Sequence, residues 1–250
     1  MNLRQQIRKE RKAYFASATP KEKLAYIWEY YGLYISIGLI LAGIITYIIV
    51  QAVTAPETIL NGTFTNSYNH ENYLAISDFE ESYMKDRKID TSEYTVSFSG
   101  NLTLNNSNMS TAYQSRDVII TQIAGESLDF IVGPATGLIN FAYDDLFVDL
   151  SKVLTPEQYE YYKPYFLYVD KAVIAKLQDL DSTTDTSAID IPALAKPDQM
   201  KEPVPVLIDL SSTNKLDNVY GKSIDGMAYA IVFNATNMEQ TIDLLEYLMR

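Results

Sequence analysis

The chain has no cysteine and a single histidine, His70, in 250 residues. Without thiols there is no disulfide framework, no cysteine nucleophile and no thiolate metal site. A Ser-His-Asp site would have to recruit His70, which precedes a helical stretch instead of following a strand in a recognisable motif. A surface or capping role is the simpler expectation for it. Walker A, HExxH and GxGxxG patterns are all missing. The acidic clusters Asp144-Asp145…Asp149 and Asp179-x-Asp181…Asp185 lack the glycine and ligand spacing of an EF-hand. No carboxylate pair is singled out for hydrolysis. These absences predict a protein that is not an enzyme and uses neither cofactor nor metal.

Charge is absent from one long stretch, Gly32 to Val53, and its 22 residues span about 33 Å as a helix against a hydrocarbon core of about 30 Å. Its polar residues Ser36, Thr46 and Gln51 are scattered instead of forming the stripe of a buried core helix. The stretch predicts a transmembrane helix. A cleaved signal peptide would have a shorter apolar run of about 7–15 residues. Val53-Thr54-Ala55 has the small residues of a cleavage site, but Pro56 follows directly, and a retained anchor is expected.

Residues 1–31 carry seven basic side chains against three glutamates, a net charge of +4. This bias places the N-terminus in the cytoplasm and residues 54–250 outside the cell membrane. Trp28, Tyr30, Tyr31 and Tyr34 cluster at the expected inner headgroup level, whereas only Tyr47 approaches the far side. Thr19-Pro20-Lys21-Glu22 fits a capping box, predicting one helix from Pro20 to about Val53. Residues 2–15 form a shorter helix in this reading, with Leu3, Ile7 and Tyr14 on one side. The basic tail either only fixes topology or also attracts anionic lipid or a cytoplasmic partner domain.

From Pro56 onward the balance reverses, with 13 basic and 29 acidic residues and a net charge of −16. Such a surface excludes nucleic-acid backbone binding as a main activity. The 195 residues suffice for one good-sized domain or two small lobes. Asn-x-Ser/Thr triplets at Asn61, Asn101, Asn105, Asn108 and Asn234 read as loop chemistry. Alternating or compact apolar runs predict strands over 59–66, 93–98, 128–132, 204–210 and 227–233. Pro205 places the fourth of these at a sheet edge. Helices are expected over 71–87, capped by Ser67 or Asn69, and over 110–124, with Val118, Ile119, Gln122 and Ile123 inward and Gly125 at the stop. Further helices are expected over 137–143, after Thr155-Pro156, and over 237–249 with Ile242, Leu245 and Leu248 facing in. Residues 171–177 fit a strand or a helical turn, and 179–190 an inserted polar loop. The alternation predicts an α/β domain with a parallel or mixed sheet covered on both faces.

Several passages together resemble the first lobe of extracellular solute-binding proteins of the bacterial ABC-importer type. They are LNGTFTN before a helix, the helix 110–124 leading into GESLDFIVG, the tract LFVDL at 146–150, and YAIVFNATNMEQTIDLLEYLM at the end. The last of these looks like that lobe's returning strand and helix. The layout of basic tail, TPKEKLAYIWEYY, one span and a short binding-protein-like domain is similar to membrane-anchored proteins of low-GC Gram-positive bacteria. The resemblance implies a truncated periplasmic-binding-protein type II fold for 56–250, after a tail of 1–19 and a juxtamembrane and transmembrane helix of 20–55. Residues 160–225 would be a reduced second lobe or an insertion.

In such a sheet a ligand site lies at the carboxyl ends of the parallel strands. That nominates Asn66 and Ser67 after the first strand, Ser99 and Gly100 after the second, and Gly133, Ala135 and Thr136 after the third. Gly133 would let a backbone approach, and the N–H groups of Ala135 and Thr136 would hold an oxygen-rich group; an ordinary strand-to-helix turn is the plainer reading. Tyr159, Tyr161, Tyr162 and Tyr165 would stack on a sugar or meet a partner protein, or else pack in the core. The expected function is a single-pass extracytoplasmic binding module working with a membrane transporter or envelope complex. The alternative is a scaffold subunit that keeps the fold without small-ligand binding.

Overall fold

The computed structural model describes residues 3–67, 74–104, 109–179, 192–221 and 226–250. These fall into two compact units, Met1–Ala55 and Pro56–Arg250. His70, Asn69, Asn105, Asn108, Asp181 and Asp185, with the expectations attached to them, lie outside the described residues.

The first unit is a helical hairpin of α1 (Leu3–Ser17) and α2 (Pro20–Thr54). The capping box starts α2 as the sequence predicts: Thr19 accepts the Glu22 N–H, and the Glu22 carboxylate accepts the Thr19 N–H at 2.7 Å. α2 is long and apolar enough to cross a membrane. Three of its polar side chains find partners within the helix, which is the arrangement a hydrocarbon setting favours. Thr46 and Thr54 each donate to the carbonyl four residues back at 2.8 Å, and Gln51 donates to the Tyr47 hydroxyl at 3.1 Å. α1 runs back along the start of α2, with Tyr14 and Phe15 ring centroids 5.4 and 5.2 Å from that of Tyr26.

In the second unit the elements are β1 (Glu57–Phe64), α3 (Ala75–Asp86), β2 (Tyr94–Ser99), α4 (Met109–Ala124), β3 (Phe130–Pro134), α5 (Ala135–Tyr143), α6 (Leu150–Val153) and α7 (Pro156–Tyr162). They continue with β4 (Phe166–Asp170), α8 (Lys171–Gln178), β5 (Pro203–Asp209), α9 (Asp217–Tyr220), β6 (Met227–Ile231) and α10 (Met238–Met249). The six strands form one mixed sheet in the order β2-β1-β3-β6-β5-β4. β1 is parallel to β2 and β3; β6 returns antiparallel between β3 and β5. Strand alternation sorts the core onto two faces. Phe130, Val132, Tyr229 and Ile231 pack with α3, α9 and α10, whereas Ile131, Ala228 and Ala230 pack with α4, α5 and α8.

The described residues of 160–225 form no separate sheet of a second lobe. Their strands β4 and β5 pair with each other, and β5 pairs with β6, so these two strands widen the one sheet. β5 is also not an edge strand. Pro205 is tolerated because β6 pairs only with Leu207–Asp209, which leaves the first half of β5 bonded on one side, and because the register with β4 shifts there. Residues 171–177 are helical: Asp170 caps α8 by accepting the Ala172 N–H at 3.0 Å. On α4, Ile119 and Ile123 are buried, but Val118 faces outward at 43% exposure. α4 ends at Ala124, so Gly125 stands at its stop as expected, and the left-handed residue is the next one, Glu126, φ 51°. The described helix α3 begins at Ala75 with Leu74 at its N-cap and no side-chain cap, while Ser67 Oγ lies 2.7 and 2.9 Å from the Phe64 and Gly100 carbonyls.

Candidate functional site

The strand ends nominated from sequence do converge, and they close on one another. Asn66, at φ 60°, spends its side chain on the backbone of Leu104: its amide donates to the carbonyl at 2.6 Å and its oxygen accepts the N–H at 2.7 Å. Ser99 donates to the Thr63 hydroxyl at 2.9 Å. The glycines serve close packing. A Cβ on Gly100 would sit 2.6 Å from Ser67 Oγ, and one on Gly133 would sit 2.0 Å from Thr65 Oγ1. The Ala135 N–H, expected to be available for a ligand, donates to the Gly226 carbonyl at 2.8 Å, and Thr136 is not free either. The polar groups at this edge of the sheet therefore hold its own loops in place.

Of the four tyrosines, only Tyr161 presents a surface, at 46% exposure. Tyr162 is fully buried, and Tyr159 and Tyr165 pack partly buried against the same core. Tyr162 thus follows the core-packing alternative, while Tyr161 stands on the outward side of α7. Among the described residues no group of three His, Asp or Glu converges as metal ligands. Asp144 is instead paired with Arg116.

An open cleft lies elsewhere, where the sheet splits. Beyond Ile231 the β6 chain leaves β5 and meets the segment before α6. The Val148 N–H donates to the Ile231 carbonyl, and the Phe233 N–H to the Leu146 carbonyl, both at 3.0 Å. The first half of β5 diverges from that pairing, and a cavity of about 330 Å³ opens between them. Val169, Val204 and Val206 form its sheet wall. Phe147, Val148, Val153 and Ile174 add apolar surface, and Phe233 stands at its side with 53% of its area exposed. Asp145, Asp149, Lys152 and Lys171 supply its charge.

These charges are not equivalent. Asp149 caps α6 through the Ser151 N–H at 3.0 Å and pairs with Lys152 at 3.3 Å, so those two largely answer each other. Among the described residues neither Asp145 nor Lys171 has an ion pair. Lys171 is held in place by Asp170 behind it. The buried Asp170 carboxylate accepts the N–H groups of Ala172, Lys201 and Glu202 at 3.0, 2.9 and 3.1 Å. Burial works against its charge, but these donors outweigh that and hold its carboxyl below the usual value. The cleft thus offers hydrocarbon walls with one anion and one cation that have no ion pair among the described residues, a pattern suited to a small amphipathic ligand. Sequence reasoning missed it because its walls come from four separated segments. The one local signal was Phe233, a bulky apolar residue beyond the paired end of β6.

No protein-family model matches the chain, and no curated protein sequence matches it. Among solved structures, a de novo designed cysteine esterase aligns over 50% of this chain and 32% of its own, with 16% identity and a TM-score of 0.26. A likeness that slight bears on neither fold nor activity.

Proposed function

We propose that the chain is a single-pass, membrane-anchored extracytoplasmic binding module, with α2 as the retained span and Pro56–Arg250 as the exported domain. The side of the membrane follows from the charge asymmetry, +4 before the span and −16 beyond it. In support of the span, the polar side chains Thr46, Gln51 and Thr54 find their partners inside α2. The antiparallel return of β6 into the middle of the sheet is consistent with the solute-binding-protein resemblance. The observation that carries binding is the charged-rim cleft beside β5, and recognition is assigned there instead of to the strand ends. A membrane transporter or envelope complex is the proposed setting.

The test is thermal unfolding of the detergent-solubilised full chain against sugars, amino acids, short peptides and Ca²⁺. A ligand at 100 times its Kd stabilises the native state by about 2.7 kcal/mol. The expected result is a raised Tm with one ligand class, lost in Lys171→Glu. If no class raises Tm, small-ligand binding falls.

The second reading, a scaffold subunit without small-ligand binding, is favoured by the internal closure of the strand ends. It predicts a silent thermal screen together with a membrane protein that co-purifies with the full chain through detergent and is lost on Tyr161→Ala.

A further inference from the structure

The basic residues of α1 are placed where the span begins. α1 runs antiparallel to the first turns of α2, and the Arg11 guanidinium donates to the Tyr31 hydroxyl at 3.3 Å, one residue before the charge-free run starts at Gly32. Arg8, Lys9, Arg11 and Lys12 are all exposed, and their i, i+3 and i, i+4 spacing puts them side by side on α1. None of the four has an ion pair among the described residues. The one acid of α1, Glu10, accepts instead from the Gln6 amide at 3.5 Å. Unneutralised cations at a hydrocarbon boundary are costly unless anionic headgroups supply the opposite charge.

We propose that α1 is a docking surface for anionic phospholipid, with Arg8, Lys9, Arg11 and Lys12 receiving headgroup phosphates beside the aromatic start of α2. The inference rests on the reading of α2 as a retained span. Tyr14, Phe15 and Tyr26 fasten the two helices, so the headgroups meet a preformed hairpin. The surface is then a lipid-composition sensor at the cytoplasmic foot of the anchor.

The experiment places the full chain in nanodiscs of phosphatidylcholine alone or of phosphatidylcholine with phosphatidylglycerol, and follows amide hydrogen exchange of α1. Attraction of about 1 kcal/mol per basic residue near such a surface predicts exchange at least about tenfold slower in the anionic discs at low salt. At about 1 M salt, where the screening length is about 3 Å, the difference should vanish. Changing all four residues to Gln, which keeps helix propensity close to that of Lys and Arg, should erase the lipid dependence without unfolding α1. Equal exchange in both lipids at low salt, in a chain that enters both discs, overturns this proposal alone. Failure to enter phosphatidylcholine discs at all overturns the span and this proposal with it.

Discussion

Asp129 and Asn61 exchange hydrogen bonds across two strands: the Asp129 carboxylate accepts the Asn61 N–H at 2.8 Å, and the Asn61 carbonyl accepts the Asp129 N–H at 2.9 Å. The other carboxylate oxygen accepts the N–H groups of Thr236 and Asn237 at 2.8 and 3.1 Å. One buried side chain thus ties β1, β3 and the turn into α10. Asp129→Ala would strand these backbone donors and is expected to cost on the order of 3 kcal/mol. Asp129→Asn should cost less, since it retains one acceptor oxygen. Urea unfolding of the full chain in detergent measures both, and an Ala variant within 0.5 kcal/mol of wild type (about the surface-substitution level) would refute the role.

Gly133 tests whether the strand ends are packing or a ligand cradle. Gly133→Ala drives a Cβ into Thr65 Oγ1, and overpacking of this kind costs about 1–3 kcal/mol. Removing the obstructing hydroxyl should rescue it, because the next nearest atom, Thr65 Cβ, lies at 3.4 Å. The double variant Gly133→Ala/Thr65→Ala is therefore expected to be more stable than the sum of the single changes by at least about 0.5 kcal/mol. Strict additivity in a thermal-melt cycle would contradict the packing account.

How much of this was visible in the sequence depends on how local the determinant is. The capping box at Thr19/Glu22 and the Thr155-Pro156 helix start are short-range signals and stand where the sequence puts them. β4 went unseen because Phe166–Asp170 follows directly on the tyrosine-rich α7 and a 3-10 turn at Lys163–Tyr165, with no glycine to mark the change. Its strand character comes from pairing with β5 some forty residues on. The interior position of Pro205 is equally non-local, since it depends on where β6 stops pairing. The candidate site follows the same rule: strand-end residues could be named from sequence, but their mutual closure and the cleft opened by diverging strands could not.

The carboxyl of Asp170 titrates below the usual aspartate value in the folded chain, so its contribution to stability is present above the unfolded value of about 3.9 and is lost as pH falls through the folded value. Asp170→Asn removes this proton linkage. The wild type should therefore lose more stability than the variant between neutral pH and the acid side of that range. Urea midpoints taken across pH for both proteins check it; parallel acid limbs would show that Asp170 is not held ionised by the Ala172, Lys201 and Glu202 amides.

Tyr162 and Tyr229 are both buried within the same core, yet their hydroxyls differ. Tyr229 donates to the Thr241 carbonyl at 2.8 Å, whereas the Tyr162 hydroxyl has no hydrogen-bond partner among the described residues. A made hydrogen bond contributes about 1 kcal/mol net, while a buried group left unsatisfied costs about 1–3 kcal/mol. The same chemical change should thus act in opposite directions: Tyr229→Phe lowers the melting temperature, and Tyr162→Phe leaves it unchanged or raises it. Tyr161→Phe, on the exposed neighbour, serves as the surface reference. If Tyr162→Phe destabilises as much as Tyr229→Phe, the Tyr162 hydroxyl has a partner, and α7 sits differently on the core from the packing described above. Since Tyr161 and Tyr162 are adjacent on one helix, such a result would also reopen which of the two tyrosines faces outward toward a protein partner.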